Sequence, residues 1–355
     1  MGFRGDFSAT LIGSFPGRDH RQAVSLILEH CPEVPCWPQL PAYPQEGMLV
    51  QFSRGLPGFD PQSLTLDPTT PDFESEMLAF YEEYMAVEEG RKSLSESLFA
   101  QKPEEVPGLF ALLEALEDGK ASPRAVKGQI TGPFTLATGL KTPDGRAVFY
   151  DPNLRDLVVK LVAMRAAWQA ERLAKIGVPV ILFLDEPALA GFGSSTFVGV
   201  SREEVSAALS EVAEKVRAAG GLPGTHVCAN TEWDLLVEAG LSVINFDAFD
   251  YLDRFLLYAS TLGDYLRRGG LLAFGIVPTL KPEALKAAEA EGLSQRVGEA
   301  LGRLSAESGV DEETVARASL ITPSCGMGTL GEDLAQRALV LTKQVSQLLK
   351  ERYGL

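Results

Sequence analysis

His226 and Cys228 stand two residues apart, at the end of a short apolar run, Gly221–Val227. On an extended strand, residues i and i+2 project to the same side, so an imidazole and a thiolate placed this way can reach one ion. Cys325 follows a later run, Ser319–Pro323, and Asp247 follows Ser242–Phe246. One imidazole nitrogen, two sulfurs and one carboxylate oxygen form a tetrahedral donor set. Sulfur and nitrogen favour zinc over magnesium or calcium. A lone His-x-Cys pair also fits a core thiol beside a histidine bonded to backbone, and it is the convergence of four donors that favours a metal. Asp185-Glu186-Pro187 closes another apolar run. Two carboxylates there are costly unless partnered. They could hold a substrate ammonium, orient a metal-bound histidine or work as acid and base. A plain helix N-cap fits the same residues. Gly13-Ser14 follows the first run and has the form of a turn whose backbone N–H groups hold a carboxylate or phosphate. A simple turn explains it equally.

Other candidates read as structural. Cys31 and Cys36, with His30, lie in the segment HCPEVPC. The spacing is long for a metal knuckle and prolines occupy the loop, so buried thiols are expected. Trp37–Pro41 is either a wall of a pocket or core packing.

These residues sit at the ends of eight apolar, β-branched runs. The runs are Ala9–Gly13, Val34–Trp37 (broken by prolines), Ala125–Ile130, Val178–Leu184, Gly221–Val227, Ser242–Phe246, Leu271–Val277 and Ser319–Pro323. Between them lie helical patterns. Leu157, Leu161, Met164 and Trp168 share one face, as do Leu334, Ala338, Leu341, Val345 and Leu348. Ser201 with Glu204 reads as a capping box, and Gly177 and Gly220–Gly221 as stops. Eight buried strands alternating with helices predict an α/β fold, a single (β/α)8 barrel over 1–355. The alternative is an open doubly wound sheet, which the absence of a GxGxxG after the first run weakens. The Pro- and Gly-rich stretch Pro32–Pro71 is expected to be a loop insertion over the barrel mouth. Catalytic groups of a barrel gather at the C-terminal strand ends, where the residues above fall.

Composition narrows the class. The 355 residues carry 32 Lys+Arg and 48 Asp+Glu, a formal net charge of −16. That excess argues against binding nucleic acid or anionic lipid. No run approaches the length of a membrane helix, and the first residues lack a signal pattern, so a cytoplasmic setting is expected. Four cysteines are too few for a disulfide scaffold.

The motifs IGSFPG (Ile12–Gly17), QITGPFTL (Gln129–Leu136), DEPAL (Asp185–Leu189), HVC (His226–Cys228), INFD (Ile244–Asp247) and PSCGMGT (Pro323–Thr329) occur in this order. In that order they resemble the C-terminal catalytic barrel of cobalamin-independent methionine synthase, over nearly the whole chain. The family's folate-binding N-terminal barrel is missing, so the chain resembles a "core" methionine synthase. The wider superfamily holds corrinoid methyltransferases and uroporphyrinogen decarboxylase. The decarboxylases lack the His-x-Cys and distant Cys-Gly.

The resemblance implies zinc ligands at His226, Cys228 and Cys325, with Asp247 where the family has a glutamate ligand. It implies a homocysteine carboxylate at Ile12, Gly13 and Ser14 and an amino group at Asp185; the segment before Met48 departs from the family, and Glu46 is the nearest candidate there for a second ammonium contact. Asp247 would be the ligand loosened when the thiol arrives. Two departures bear on the methyl donor. The family's pterin-stacking tryptophan is replaced by Ala137-Thr138-Gly139-Leu140-Lys141, and its proton-donating histidine by Val277-Pro278-Thr279-Leu280-Lys281. Folate leaves poorly without protonation, whereas a methyl-corrinoid needs no proton. The implied activity is methyl transfer to the thiol of homocysteine, giving methionine, with methylcobalamin or a methyl-corrinoid protein as donor. Coenzyme M or another thiol as acceptor, and methylfolate as donor, are the alternatives. A zinc-site protein that binds a corrinoid or a partner without turnover is a further reading.

Overall fold

A computed structural model describes residues 2–117, 119 and 121–355. An antiparallel two-residue hairpin, β1 (Phe59–Asp60) and β2 (Thr65–Leu66), precedes the main sheet. That sheet is parallel and six-stranded, in the order β3 (Val126–Thr131), β4 (Val180–Asp185), β5 (Gly221–Val227), β6 (Val243–Phe246), β7 (Leu271–Val277) and β8 (Ser319–Pro323). These six match the last six runs of the sequence to within two residues at each end. Their sequence order is their spatial order, as successive right-handed crossovers produce.

The first two runs depart from expectation. Neither is a strand, so the sheet has six strands where eight were predicted. Ala9 makes an isolated parallel bridge to Ile321 on β8, Cys36 one to Lys127 on β3, and Ser14 one to Gln39. The two segments thus run along the two edges of the sheet and touch each other. The physical reason lies in their residues. Pro35 and Pro38 have no N–H to give a ladder, and Gly13 turns the first segment at φ +145°. Pro32–Pro71 is not one loop: it carries the short helix Met48–Ser53 and the hairpin.

Alternation along each strand separates two apolar clusters. Val34, Ala125, Ile181, Phe183, Val243, Leu271, Ala273 and Leu320 pack together on the inner face of the curl. The larger cluster lies between sheet and helices, where Leu157, Leu161, Met164, Leu182, Leu184, Leu339 and Val345 meet. The helix Pro152–Ala174 opens on an Asp151 side-chain cap with proline at its first position. The helix Arg202–Ala218 opens on the Ser201/Glu204 capping box. The helix Glu332–Tyr353 packs back on β8 and closes at Gly354 in the left-handed region. A further helix, Phe73–Glu88, was not foreseen in the sequence. No described helix is long and apolar enough to cross a membrane.

Candidate active site

Inward-facing positions near the ends of β4, β5, β6 and β8 turn from apolar to polar, and the site is built there. Asp185 ends β4 and is in register with His226 on β5, which is in register with Asn245 on β6. His226 is 3% exposed. Its Nδ1 lies 2.5 Å from Asn245 Oδ1. Asn245 donates both amide hydrogens elsewhere, to the Ala273 carbonyl at 2.9 Å and to Thr322 Oγ1 at 2.7 Å. Its Oδ1 therefore accepts, and His226 is held as the Nδ1–H tautomer. The Nε2 lone pair is left buried with no partner among the described residues.

Cys228 and Cys325 complete a group with that nitrogen. One imidazole nitrogen and the two sulfurs lie within 4.8 Å of one another, close enough to bind one metal ion. An orphaned imidazole nitrogen between two thiols is a donor set suited to zinc. The Cys325 backbone is fixed from β7's following loop: its N–H donates to Thr279 Oγ1 at 3.0 Å, and Thr279 donates back to its carbonyl at 2.9 Å. A hydrogen bond from Cys325, reinforced by His226 against burial, pulls the Cys228 thiol down to about 4. The same thiolate, together with burial, holds the Cys325 thiol far above its ordinary value. Burial disfavours the His226 imidazolium, but Cys228 and Asp185 outweigh it and raise its pKa. A cation placed there would let both sulfurs ionise.

Asp247 does not join the group. Its Oδ1 accepts from the N–H groups of Phe249 and Asp250, both at 2.9 Å, and caps the helix Ala248–Leu256. Burial pushes its carboxyl up to about 6. The cap engages one carboxylate oxygen and holds the short side chain toward its own helix.

Asp185 and Glu186, adjacent in sequence, diverge. Asp185 is 6% exposed, and its Oδ1 has no partner among the described residues. Burial pushes it up to about 6, against the pull of Lys127 and His226. Glu186 does not cap its own helix. It crosses to the helix Pro133–Gly139, accepting from Phe134 N–H at 2.9 Å, Thr135 N–H at 2.7 Å and Thr135 Oγ1 at 2.6 Å. A Cβ on Gly132 would stand 2.2 Å from Glu186 Oε1, so only glycine admits this contact.

A cavity of about 310 Å3 joins these residues. Ile12, Ser14, Glu46, Asp185, His226, Cys228 and Cys325 all line it; Gly13 and Asp247 do not. Glu46 is 2% exposed and committed on both oxygens, to His20 Nε2 at 2.8 Å and the Leu40 N–H at 2.9 Å. The Ser14 hydroxyl accepts from Gly328 N–H at 3.3 Å. The backbone N–H groups of Gly13 and Ser14 donate to nothing among the described residues. Of the two, Ser14 lines the cavity with Asp185 and Glu46, and Gly13 does not.

Several site residues escaped the sequence reading. Asn245, Thr322, Lys127 and Gln129 are polar residues inside apolar runs. Strand alternation with Asp247, Ser324 and Thr131 places them on the inner face, and that signal was available. Cys31 and Cys36 are buried free thiols, as expected. Trp37 is fully buried and donates from Nε1 to Gln169 at 3.2 Å, which makes it core.

No family model matches the chain, and no curated protein does. Among solved structures, it is similar to a B12-independent methionine synthase from Shewanella sp. W3-18-1 in complex with selenomethionine, at 17% identity and a TM-score of 0.47, covering 72% of this chain and 69% of that one. A likeness of that degree concerns chain trace and not chemistry.

Proposed function

We propose that the chain is a zinc-dependent methyltransferase that converts homocysteine to methionine. The observation that carries the reading is the buried, unpartnered Nε2 of His226 set between the sulfurs of Cys228 and Cys325, on a cavity that also holds Asp185. His226, Cys228 and Cys325 would hold the metal. Zinc, when bound, lowers the pKa of an acceptor thiol and presents it as a thiolate at neutral pH. With three protein donors, the site would leave room for the acceptor sulfur. Asn245 fixes the imidazole tautomer and ring plane. Asp185, with an unpartnered oxygen, pairs the acceptor ammonium, and Glu46 adds negative charge on the same wall. The free N–H groups at Gly13 and Ser14 receive its carboxylate.

The acceptor follows from this arrangement. Coenzyme M has a sulfonate and no amine, so two carboxylates facing the cavity favour an amino acid. For the donor, the loop after β7 supplies no acid. Its Thr279 hydroxyl is spent on Cys325, and Lys281 pairs with Asp250 at 2.6 Å. A donor that leaves without protonation, methylcobalamin or a methyl-corrinoid protein, fits better than methylfolate. The reading extends to the architecture: six strands and two bridged edge segments are taken as eight staves of one barrel.

Metal analysis tests the core of it. The purified protein should hold one zinc per chain, and the Cys325→Ala and Cys228→Ser proteins should lose both metal and methionine formation. Full turnover in a folded Cys325→Ala protein would sink the scheme.

A further inference from the structure

A second cavity, of about 270 Å3, shares no residue with the one described above. It lies against the last two turns of the helix Pro152–Ala174, which bring Trp168, Glu171 and Arg172 to it, with Lys175 just beyond. Gln101 lines it as well, together with Phe110 from the helix Pro107–Glu117. Pockets for drug-sized ligands begin at about 300 Å3, so an occupant here is small.

Two N–H donors on this lining are left over. The chain of bonds that isolates the first starts at Trp37, whose Nε1–H can only donate and bonds Gln169 Oε1 at 3.2 Å. Gln169 therefore turns its amide hydrogens to Gln101, whose Oε1 accepts at 3.5 Å. That fixes the Gln101 amide, and its Nε2 is buried with no partner among the described residues. Gln101 is 3% exposed, where an amide N–H without an acceptor is costly. Arg172 repeats the pattern. Its Nε is buried and unpartnered among the described residues, and its guanidinium lies 5.4 Å from the centre of the Phe110 ring. A basic residue in a last helical turn complements the helix dipole, which accounts for the charge of Arg172 but not for these two N–H groups.

The lining also carries an excess of one positive charge, Arg172 and Lys175 against Glu171, in a chain whose net charge is −16. We propose that this cavity is a second binding site, for a small monocarboxylate with a flat apolar body. Gln101 Nε2 and Arg172 Nε donate to the carboxylate, Lys175 adds charge at the exposed rim, and the body lies against Phe110 and Trp168. The site goes beyond the methyltransferase reading and does not depend on it, because no group of the zinc cavity takes part.

The test is an NMR titration that follows the indole N–H signals, with Trp168 assigned from a Trp168→Phe protein. The probes are benzoate and its uncharged analogue benzamide, added to metal-free and zinc-loaded protein. Benzoate should move the Trp168 signal saturably and equally in both forms. Benzamide, and benzoate on the Arg172→Gln protein, should bind about 10-fold more weakly, as loss of a charge-assisted contact predicts. No movement at Trp168, or equal binding of benzamide, or of benzoate by Arg172→Gln, overturns the site. A signal that moves only in zinc-loaded protein puts the carboxylate at the metal and overturns it too. If Arg172→Gln does not fold, the exposed Lys175→Glu carries the test: it should weaken benzoate, and unchanged binding there refutes the proposal.

Discussion

At the scale of single residues, the site depends on a neutral amide. Asn245 gives away both its hydrogens and so dictates that His226 carries its proton on Nδ1. Removing it frees the ring and its tautomer. Asn245→Ala should weaken zinc binding about 10- to 100-fold, measured by competition with a chromophoric chelator. Unchanged affinity in that variant would show that the tautomer lock is dispensable. The grouping of His226, Cys228 and Cys325 was legible in the sequence, because strand periodicity places i and i+2 together and strand ends converge. Asp247, expected as a fourth donor, lies outside that group for a reason visible only in three dimensions. It stands at a helix start, and its carboxylate is drawn to the N–H groups of Phe249 and Asp250. Glu186 was missed in the opposite sense: it caps a helix, but one some fifty residues upstream, and no local pattern records such a contact.

At the scale of elements, the weak point is where two segments without strand character must lie along the sheet edges. Glu33 binds several of them together. It accepts from Ser8 Oγ at 2.6 Å and Arg124 Nη1 at 3.3 Å and pairs with Lys350, while Arg124 also holds Asp6 at 2.5 Å. Burial raises the Glu33 pKa, but Lys350, Ser8 and Arg124 together hold it below the usual 4.5. A depressed carboxyl contributes stability that is present above its unfolded pKa and lost as pH falls through the folded value. Glu33→Gln should therefore cost about 1 kcal/mol near neutral pH, discounted for partial exposure, and the gap from wild type should close below pH 4.5. Urea midpoints across that range check it; a gap that widens in acid contradicts the assignment. The six central strands were readable because each is a short run rich in apolar residues, bounded by polar or turn residues. The first two were not, because Pro35, Pro38 and Gly13 remove the donors and dihedrals that a ladder needs.

At the scale of the whole molecule, a bound metal would tie the end of β5 to the end of β8, elements almost a hundred residues apart. Anything that binds the native state alone stabilises it by mass action, by about 4 kcal/mol at a thousandfold excess over Kd. Chelation should lower the Tm, zinc should restore it, and magnesium should not, as thermal scans with each ion will show. A Tm indifferent to chelator would place the metal elsewhere or nowhere. The net charge of −16 sets up repulsion against polyanions, but it does not speak to the acceptor.

The central claim is the transfer itself, and methionine formation from homocysteine by the zinc-loaded protein measures it, with methylcobalamin and methylfolate compared as donors. Methionine should form from methylcobalamin, with Cys325→Ala abolishing it, and none should form from methylfolate. No methionine from methylcobalamin, or methionine from methylfolate, would contradict it.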